Sequence, residues 1–286
     1  MSGKMTFGPG GNSDDFRLAG GRSTLQAPGF VKSIGLDSYE YEAGNGITGS
    51  DDTFAAIGAK AREHGIIMSF HTPYFISLSS TEKEKRDKSV EYIRRSAEVS
   101  DLLGAHTMVV HCGSAARIDR ATAMRYAAET LRGASEMMHA GGFKVRLGIE
   151  TMGKINQLGT LEEVLELCTI DKAFVPVVDF GHLNARTRGG IRGADDYKRI
   201  FEAISQKLGG EYAQRLHCHF SKIMYTEMGE KKHLTFDDTT YGPDFEPLAE
   251  AVVSLGVTPN LICESAGTQS GDALIMKNIY ENLLGK

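Results

Sequence analysis

Val175-Pro-Val-Val-Asp-Phe-Gly-His182 decides how the rest of the chain is read. Four apolar positions bounded by loop-forming residues fit a short strand buried on both faces. The strand ends on Asp179, and a turn through Phe180 and Gly181 is expected to deliver His182. A carboxylate and an imidazole are costly to bury without a partner, and a metal ion would compensate both. Taken alone, the stretch is equally well explained by a carboxylate accepting backbone hydrogen bonds and a histidine capping a helix.

The same design recurs on both sides of it. Ile66-Ile-Met-Ser-Phe70 runs into His71, Thr107–Val110 into His111, and Val145–Ile149 into Glu150. Arg215–Cys218 runs into His219, and Asn260–Cys263 into Glu264. Met5–Gly8 and Leu36–Glu42, the latter alternating around Tyr39 and Tyr41, complete eight strand candidates. Helical patterns lie between them: 54–64 behind an Asp51-Asp-Thr cap, 81–104, 120–139, 160–167, 194–207, 245–255 and 271–284. The polar, glycine-broken stretch 14–27 reads as a surface loop, with a short helix over 28–33. Regular strand-then-helix alternation means a parallel sheet. Eight such units in roughly 250 residues fit an α/β fold of the closed (β/α)8 TIM barrel type. No GxGxxG follows the first strand, which counts against a dinucleotide-binding sheet. No linker or compositional break interrupts residues 1–286, so a single domain is expected.

With 41% hydrophobic and 24% charged residues, the chain has the composition of an ordinary globular protein. A net charge of −5 argues against coating nucleic acid through bulk charge, though not against a local basic surface. No apolar run approaches the roughly 20 residues of a membrane span, and the first residues lack a secretory apolar region. Cys112, Cys168, Cys218 and Cys263 are widely spaced without a CxxC, as suits a reducing cytoplasm. A cytoplasmic monomer is the expectation.

In a (β/α)8 barrel the active site lies at the C-terminal mouth. Here six consecutive strand ends carry metal-capable side chains: His71, His111, Glu150, Asp179, His219 and Glu264. His182 follows just after one of them, and His233 lies in the loop after the seventh strand. A lone buried histidine is more often a satisfied core residue than a ligand. Gathered around one mouth, these groups would repel one another or stay desolvated without cations. Imidazoles and carboxylates without thiolates suit Zn2+, Mn2+ or Fe2+. The donors outnumber the needs of one tetrahedral ion, so two or three ions are expected, the usual apparatus for hydrolysing phosphate esters. His217, two residues before His219, points the same way one layer deeper, either as support for the site or as core polar filler. His64, His106 and His139 lie at helix ends or the far end of the barrel.

At these residues the chain resembles the endonuclease IV family of apurinic/apyrimidinic endonucleases, within the xylose-isomerase-like barrels. The resemblance spans nearly the whole chain and is strongest in His71-Thr-Pro-Tyr-Phe-Ile-Ser-Leu78 and Val109-Val-His-Cys-Gly-Ser114. Asp179-Phe-Gly-His182, His219-Phe-Ser-Lys222 and Glu264-Ser-Ala-Gly267 follow in matching order. It implies a trinuclear site: His71 and His111 on one ion, Glu150 bridging to a second held by Asp179, His219 and Glu264, and His182 with His233 on the third. It also implies that Tyr74 stacks at the lesion in DNA. Three segments depart from the pattern this resemblance implies. Lys231 stands where the family pairs its last histidine with an aspartate, leaving Glu230 and Glu227 as the nearby carboxylates. Phe180 replaces a small or polar residue, and Phe220-Ser221 replaces an Asn-Asp type pair.

The expected activity is therefore metal-dependent hydrolysis of double-stranded DNA at abasic sites, as in base excision repair, with Glu150 and Glu264 as catalytic groups. Arg22, Arg186, Arg188, Arg192, Lys222, Lys231 and Lys232 are the candidate phosphate-holding residues. The alternative is a sugar isomerase or epimerase of the same superfamily, which shares Glu150, Asp179, His219 and Glu264 but needs one ion. His71, His111, His182 and His233 are what separate the two.

Overall fold

Eight parallel strands carry the chain around a ring in the computed structural model, which describes residues 3–285. In chain order the strands are β1 (Thr6–Pro9), β2 (Ser38–Glu42), β3 (Ile67–His71), β4 (Ala105–His111) and β5 (Arg146–Glu150). Then come β6 (Phe174–Asp179), β7 (His217–Phe220), a hairpin of β8 (Ile223–Thr226) and β9 (Gly229–His233), and finally β10 (Asn260–Cys263). The sheet order is β1-β10-β7-β6-β5-β4-β3-β2. A bridge between Gly10 and Glu40 joins its two ends, with Asp37 N–H donating to Phe7 O at 2.8 Å and Gly11 N–H to Glu40 O at 3.0 Å. The expected single-domain (β/α)8 barrel is the fold observed.

Closure depends on a missing side chain. At Gly8 a Cβ would lie 1.8 Å from the Ser38 carbonyl oxygen, so only glycine lets β1 approach β2 this closely. Around the ring, helices lay their apolar faces on the strands. Ile93, Ala97 and Leu103 of helix Lys83–Leu103, and Val164 and Leu167 of helix Leu161–Cys168, are fully covered.

Four local expectations are corrected. Ser50, not Asp51, caps helix Asp51–His64, accepting from Thr53 N–H. Residues 14–27 are not simply loop: Ser13 caps a helix at Asp14–Leu18, whose acidic first turn suits the helix dipole and whose Phe16 is buried, and Thr24–Gln26 form a 3-10 turn. Phe180 and Gly181 are not a turn either. They begin helix Phe180–Arg186, because the Asp179 side chain accepts the His182 N–H at 2.7 Å and so caps it. The β8–β9 hairpin falls where a loop was expected, and it leans on the β5 loop. Ile155 N–H donates to Met228 O at 3.1 Å and Glu230 N–H to Gly153 O at 3.1 Å.

Replacing Gly8 by alanine is expected to destabilise the fold by about 3 kcal/mol or more, because backbone must move to admit the methyl. Equilibrium unfolding in urea measures this, and a midpoint equal to the parent protein's would show that the seam is looser than described.

Candidate metal centre

Every strand from β3 to β7, together with the residue following β10, delivers a ligand-type side chain to the mouth. Groups whose donor atoms lie within 4.8 Å of one another form there: His71, His111 and Glu150; Glu150, Asp179, His219 and Glu264; beside them His182, Glu230 and His233; and, deeper, Glu40 with His217 and His219 and Glu40 with Glu42 and Glu264. All eight metal positions anticipated from the sequence take part.

Glu150 is the shared member of the first two. Its Oε2 faces His71 Nε2 at 3.5 Å and His111 Nε2 at 3.2 Å. Its Oε1 faces His219 Nδ1 at 3.0 Å and His182 Nδ1 at 3.5 Å. His71 Nδ1 lies 3.0 Å from the Thr72 carbonyl, and His182 Nδ1 lies 3.0 Å from that of Thr151. A carbonyl only accepts, so each ring donates from Nδ1 and leaves Nε2 to serve as a ligand.

The third group completes itself through a backbone irregularity. Regular alternation would put Lys231 and His233 on one face of β9 and turn Glu230 away. The β8–β9 pairing instead skips a residue: Met224 pairs with Lys232 and Tyr225 with Glu230, which leaves Lys231 as the extra residue of a β-bulge. Glu230 and His233 then face the same way, and Glu230 Oε2 lies 3.5 Å from His182 Nε2. Lys231 itself is exposed.

The residues fit divalent cations. Glu150 Oε2 and Asp179 Oδ2 are fully buried without a hydrogen-bond partner, and the donors are the nitrogen and oxygen set that such ions prefer. The electrostatics agree. Burial alone would raise the Glu150 carboxyl, but His219, His111 and His182 hold it well below the usual carboxylate range. Burial alone would lower His71, but Glu42, Glu150 and Glu40 push it up to about 10. Burial also works against a charged His219, yet Glu264, Glu40 and Glu150 raise it strongly. His111 and His233 are held down by burial. Glu264 is raised well above its ordinary value by burial, with Asp179, Glu150 and Glu42 outweighing the opposing His219.

The strand-end rule missed two carboxylates. They are Glu40 and Glu42, which alternate with Tyr39 and Tyr41 in β2. The tyrosines face outward, Tyr41 stacking on Phe70 at 5.7 Å, while Glu40 and Glu42 face the barrel axis. Glu42 ends β2 in register with His71. Burial, with Glu40 and Glu150 adding to it against His71, pushes its carboxyl up to about 7.

Of the substrate candidates, Tyr74 lies at the mouth. It is 57% exposed, and its ring is nearly parallel to that of His111 at 5.4 Å. It is shared by two adjoining clefts of 410 and 430 Å3, one lined by ligand residues and Lys154, the other by Glu42, Asn45 and Gln269. Arg186 does not reach the clefts. Its guanidinium donates to the carbonyls of Met152, Lys154, Ile155 and Gln157, bracing the β5 loop. Lys222 donates to Asp238 O. Arg22, Arg188, Arg192 and Lys232 are exposed.

A family profile described as xylose isomerase-like TIM barrel matches residues 29–279. The chain belongs to that family. An uncharacterized protein of Methanocaldococcus jannaschii is 28% identical over 255 residues, covering 88% of this chain and 90% of the relative. A probable endonuclease 4 of Acholeplasma laidlawii is 30% identical over 182 residues, covering 61% of this chain and 59% of the relative. Among solved structures, a D-tagatose 3-epimerase-like protein superposes with a TM-score of 0.71 at 19% identity, covering 98% of this chain and 97% of that one, a likeness of fold alone. No helix among the described residues is long and apolar enough to cross a membrane.

Two outcomes follow from the geometry. Glu230→Ala is expected to lower the metal content by one ion per chain, while Lys231→Ala leaves it unchanged; metal analysis by mass spectrometry decides, and the reverse pattern would contradict the bulge. The strongly raised His71, His182 and His219 must give up protons to bind metal. Affinity should therefore climb with pH, and titration calorimetry in buffers of different ionisation enthalpy should show proton release. Binding without proton release would contradict the electrostatic picture.

Proposed function

We propose that this protein is a metal-dependent phosphodiester hydrolase that cleaves DNA at abasic sites. The observation that carries the reading is the third donor group, His182, Glu230 and His233, set beside the other two. A sugar isomerase or epimerase that works with one ion would leave the imidazoles of His71, His111, His182 and His233 without a metal to bind. The endonuclease 4 likeness of part of the chain points the same way.

In this reading His71, His111 and Glu150 hold one ion, Glu150, Asp179, His219 and Glu264 a second, and His182, Glu230 and His233 a third. Divalent ions, Zn2+ first and Mn2+ or Fe2+ as alternatives, would polarise the phosphoryl oxygens and make water acidic enough to attack phosphorus. Glu150 keeps the first two donor groups at a fixed separation, since each of its oxygens answers to a different pair of imidazoles. Glu264 would be ionised once a cation is bound beside it, and its carboxylate at the mouth would then accept the proton of the attacking water. Tyr74 offers a flat ring where a base is missing, and Lys154 and Lys231 supply exposed positive charge for flanking phosphates.

A second reading has one observation in its favour. The cleft lined by Glu42, Asn45 and Gln269 has the polar side chains that bind the hydroxyls of a sugar, which suits an isomerase or epimerase using Glu150 and Glu264 to move protons.

The test is a duplex carrying one abasic site, incubated with the metal-loaded protein. Cleavage that a chelator stops and added Zn2+ or Mn2+ restores is the expected result. Glu150→Gln should abolish it with the fold intact, and Glu264→Gln should slow it on the order of 10²- to 10⁴-fold. An uncut duplex, together with epimerisation of a ketose by the same preparation, would overturn the hydrolase reading in favour of the second.

A further inference from the structure

Beneath the ring of metal-type donors, the barrel axis is occupied by a row of polar side chains that starts at the bottom of the sheet. Thr6 Oγ1 lies 2.8 Å from Asn260 Oδ1. Asn260 Nδ2 lies 3.2 Å from His217 Nδ1, and His217 Nε2 lies 2.9 Å from Glu40 Oε2. The other oxygen of Glu40, Oε1, lies 2.8 Å from His219 Nε2. Glu40 and His219 are wholly buried, so nothing in solvent can stand in for these partners.

The donor and acceptor roles from Thr6 through Asn260 and His217 to Glu40 are fixed by elimination. An ionised carboxylate only accepts, so each imidazole nitrogen facing Glu40 must carry a proton. A neutral His217 has one proton, which therefore sits on Nε2. Its Nδ1 accepts from the Asn260 amide, whose oxygen takes the Thr6 hydroxyl proton. His219 has carboxylates on both sides: Nε2 faces Glu40 Oε1, while Nδ1 hydrogen-bonds Glu150 Oε1 at 3.0 Å and lies 3.3 Å from Glu264 Oε1. An ion held by Glu150, Asp179 and Glu264 would displace the Nδ1 proton, and the proton that remains would be the one on Nε2, facing Glu40. The Nε2–H does not point along the short line to Glu40 Oε1, and neither atom has another hydrogen-bond partner among the described residues. The role assigned to Glu40 below requires the ring to turn enough to align them when an ion fills the site.

We propose that Glu40 is a positioning residue of the metal centre: by holding the proton of His219 on Nε2, it presents Nδ1 to the ion shared with Glu150, Asp179 and Glu264. Glu40 touches neither substrate nor ion in this role. It selects the nitrogen that binds, and through His217, Asn260 and Thr6 it ties that choice to the far end of the barrel. An outer carboxylate of this kind orients the ring and makes it a better ligand. The proposal rests on the metal-centre reading and is indifferent to whether the substrate is DNA or a sugar.

Two measurements test it without reference to turnover. In the zinc-loaded parent protein labelled with 15N-histidine, the His219 ring should show its proton on Nε2 and its metal bond on Nδ1. Glu40→Gln keeps the shape but can accept from only one of the two imidazoles. With folding verified by circular dichroism, one equivalent of zinc should become about 10- to 100-fold easier to remove in competition with a chromophoric chelator. Glu42→Gln, by comparison, should keep the His219 tautomer. A parent His219 protonated on Nδ1 and bound through Nε2 would overturn the proposal. So would a folded Glu40→Gln protein that holds all its zinc as tightly as the parent. If the variant does not fold, the parent spectrum decides alone.

Discussion

The contact between one buried carboxylate and four imidazoles is the constraint on which the rest of this structure depends. Glu150 has no exposure, and His71, His111, His182 and His219 all approach its two oxygens. Removing a carboxylate from water costs several kcal/mol unless strong partners replace it. Those partners come from β3, β4, β7 and the helix that Asp179 starts after β6. Residues 71 and 219 are far apart in the chain, and only a closed parallel barrel points the ends of all these strands at one spot. The barrel in turn closes because Gly8 has no side chain to hold β1 off β2.

Much of this was legible in the sequence, and for a physical reason. A strand covered on both faces must be apolar along its length, so the first ionisable residue after it marks the mouth. That logic located His71, His111, Glu150, Asp179, His219 and Glu264, and the barrel follows from the spacing. It does not reach β2, where the aromatic residues of an alternating strand pack outward and leave the axis to Glu40 and Glu42. It failed at Lys231 because a bulge shifts which residues share a face, and nothing in a Glu-Lys-Lys-His run announces one. Arg186 looked like a phosphate ligand because a guanidinium in a loop usually meets solvent; here four carbonyls of a neighbouring loop absorb its donors.

Around the strand-end side chains, three features shape the mouth. Glu40 extends their arrangement downward as a polar column, where barrel interiors are ordinarily filled with branched apolar side chains. Glu42 extends it sideways into a second cleft that adjoins the one lined by Lys154. The third donor group is completed by the bulge at Lys231, which brings Glu230 to the same side as His233.

The claim beneath all of this is that bound cations make so dense a gathering of imidazoles and carboxylates tolerable. Anomalous diffraction from crystals of the zinc-loaded protein, recorded on either side of the zinc absorption edge, tests it directly. The account calls for two or three peaks, one of them about 2.0–2.2 Å from a Glu150 oxygen and from the nitrogens of His71 and His111. Crystals soaked in zinc that show no peak within bonding distance of Glu150 would contradict it.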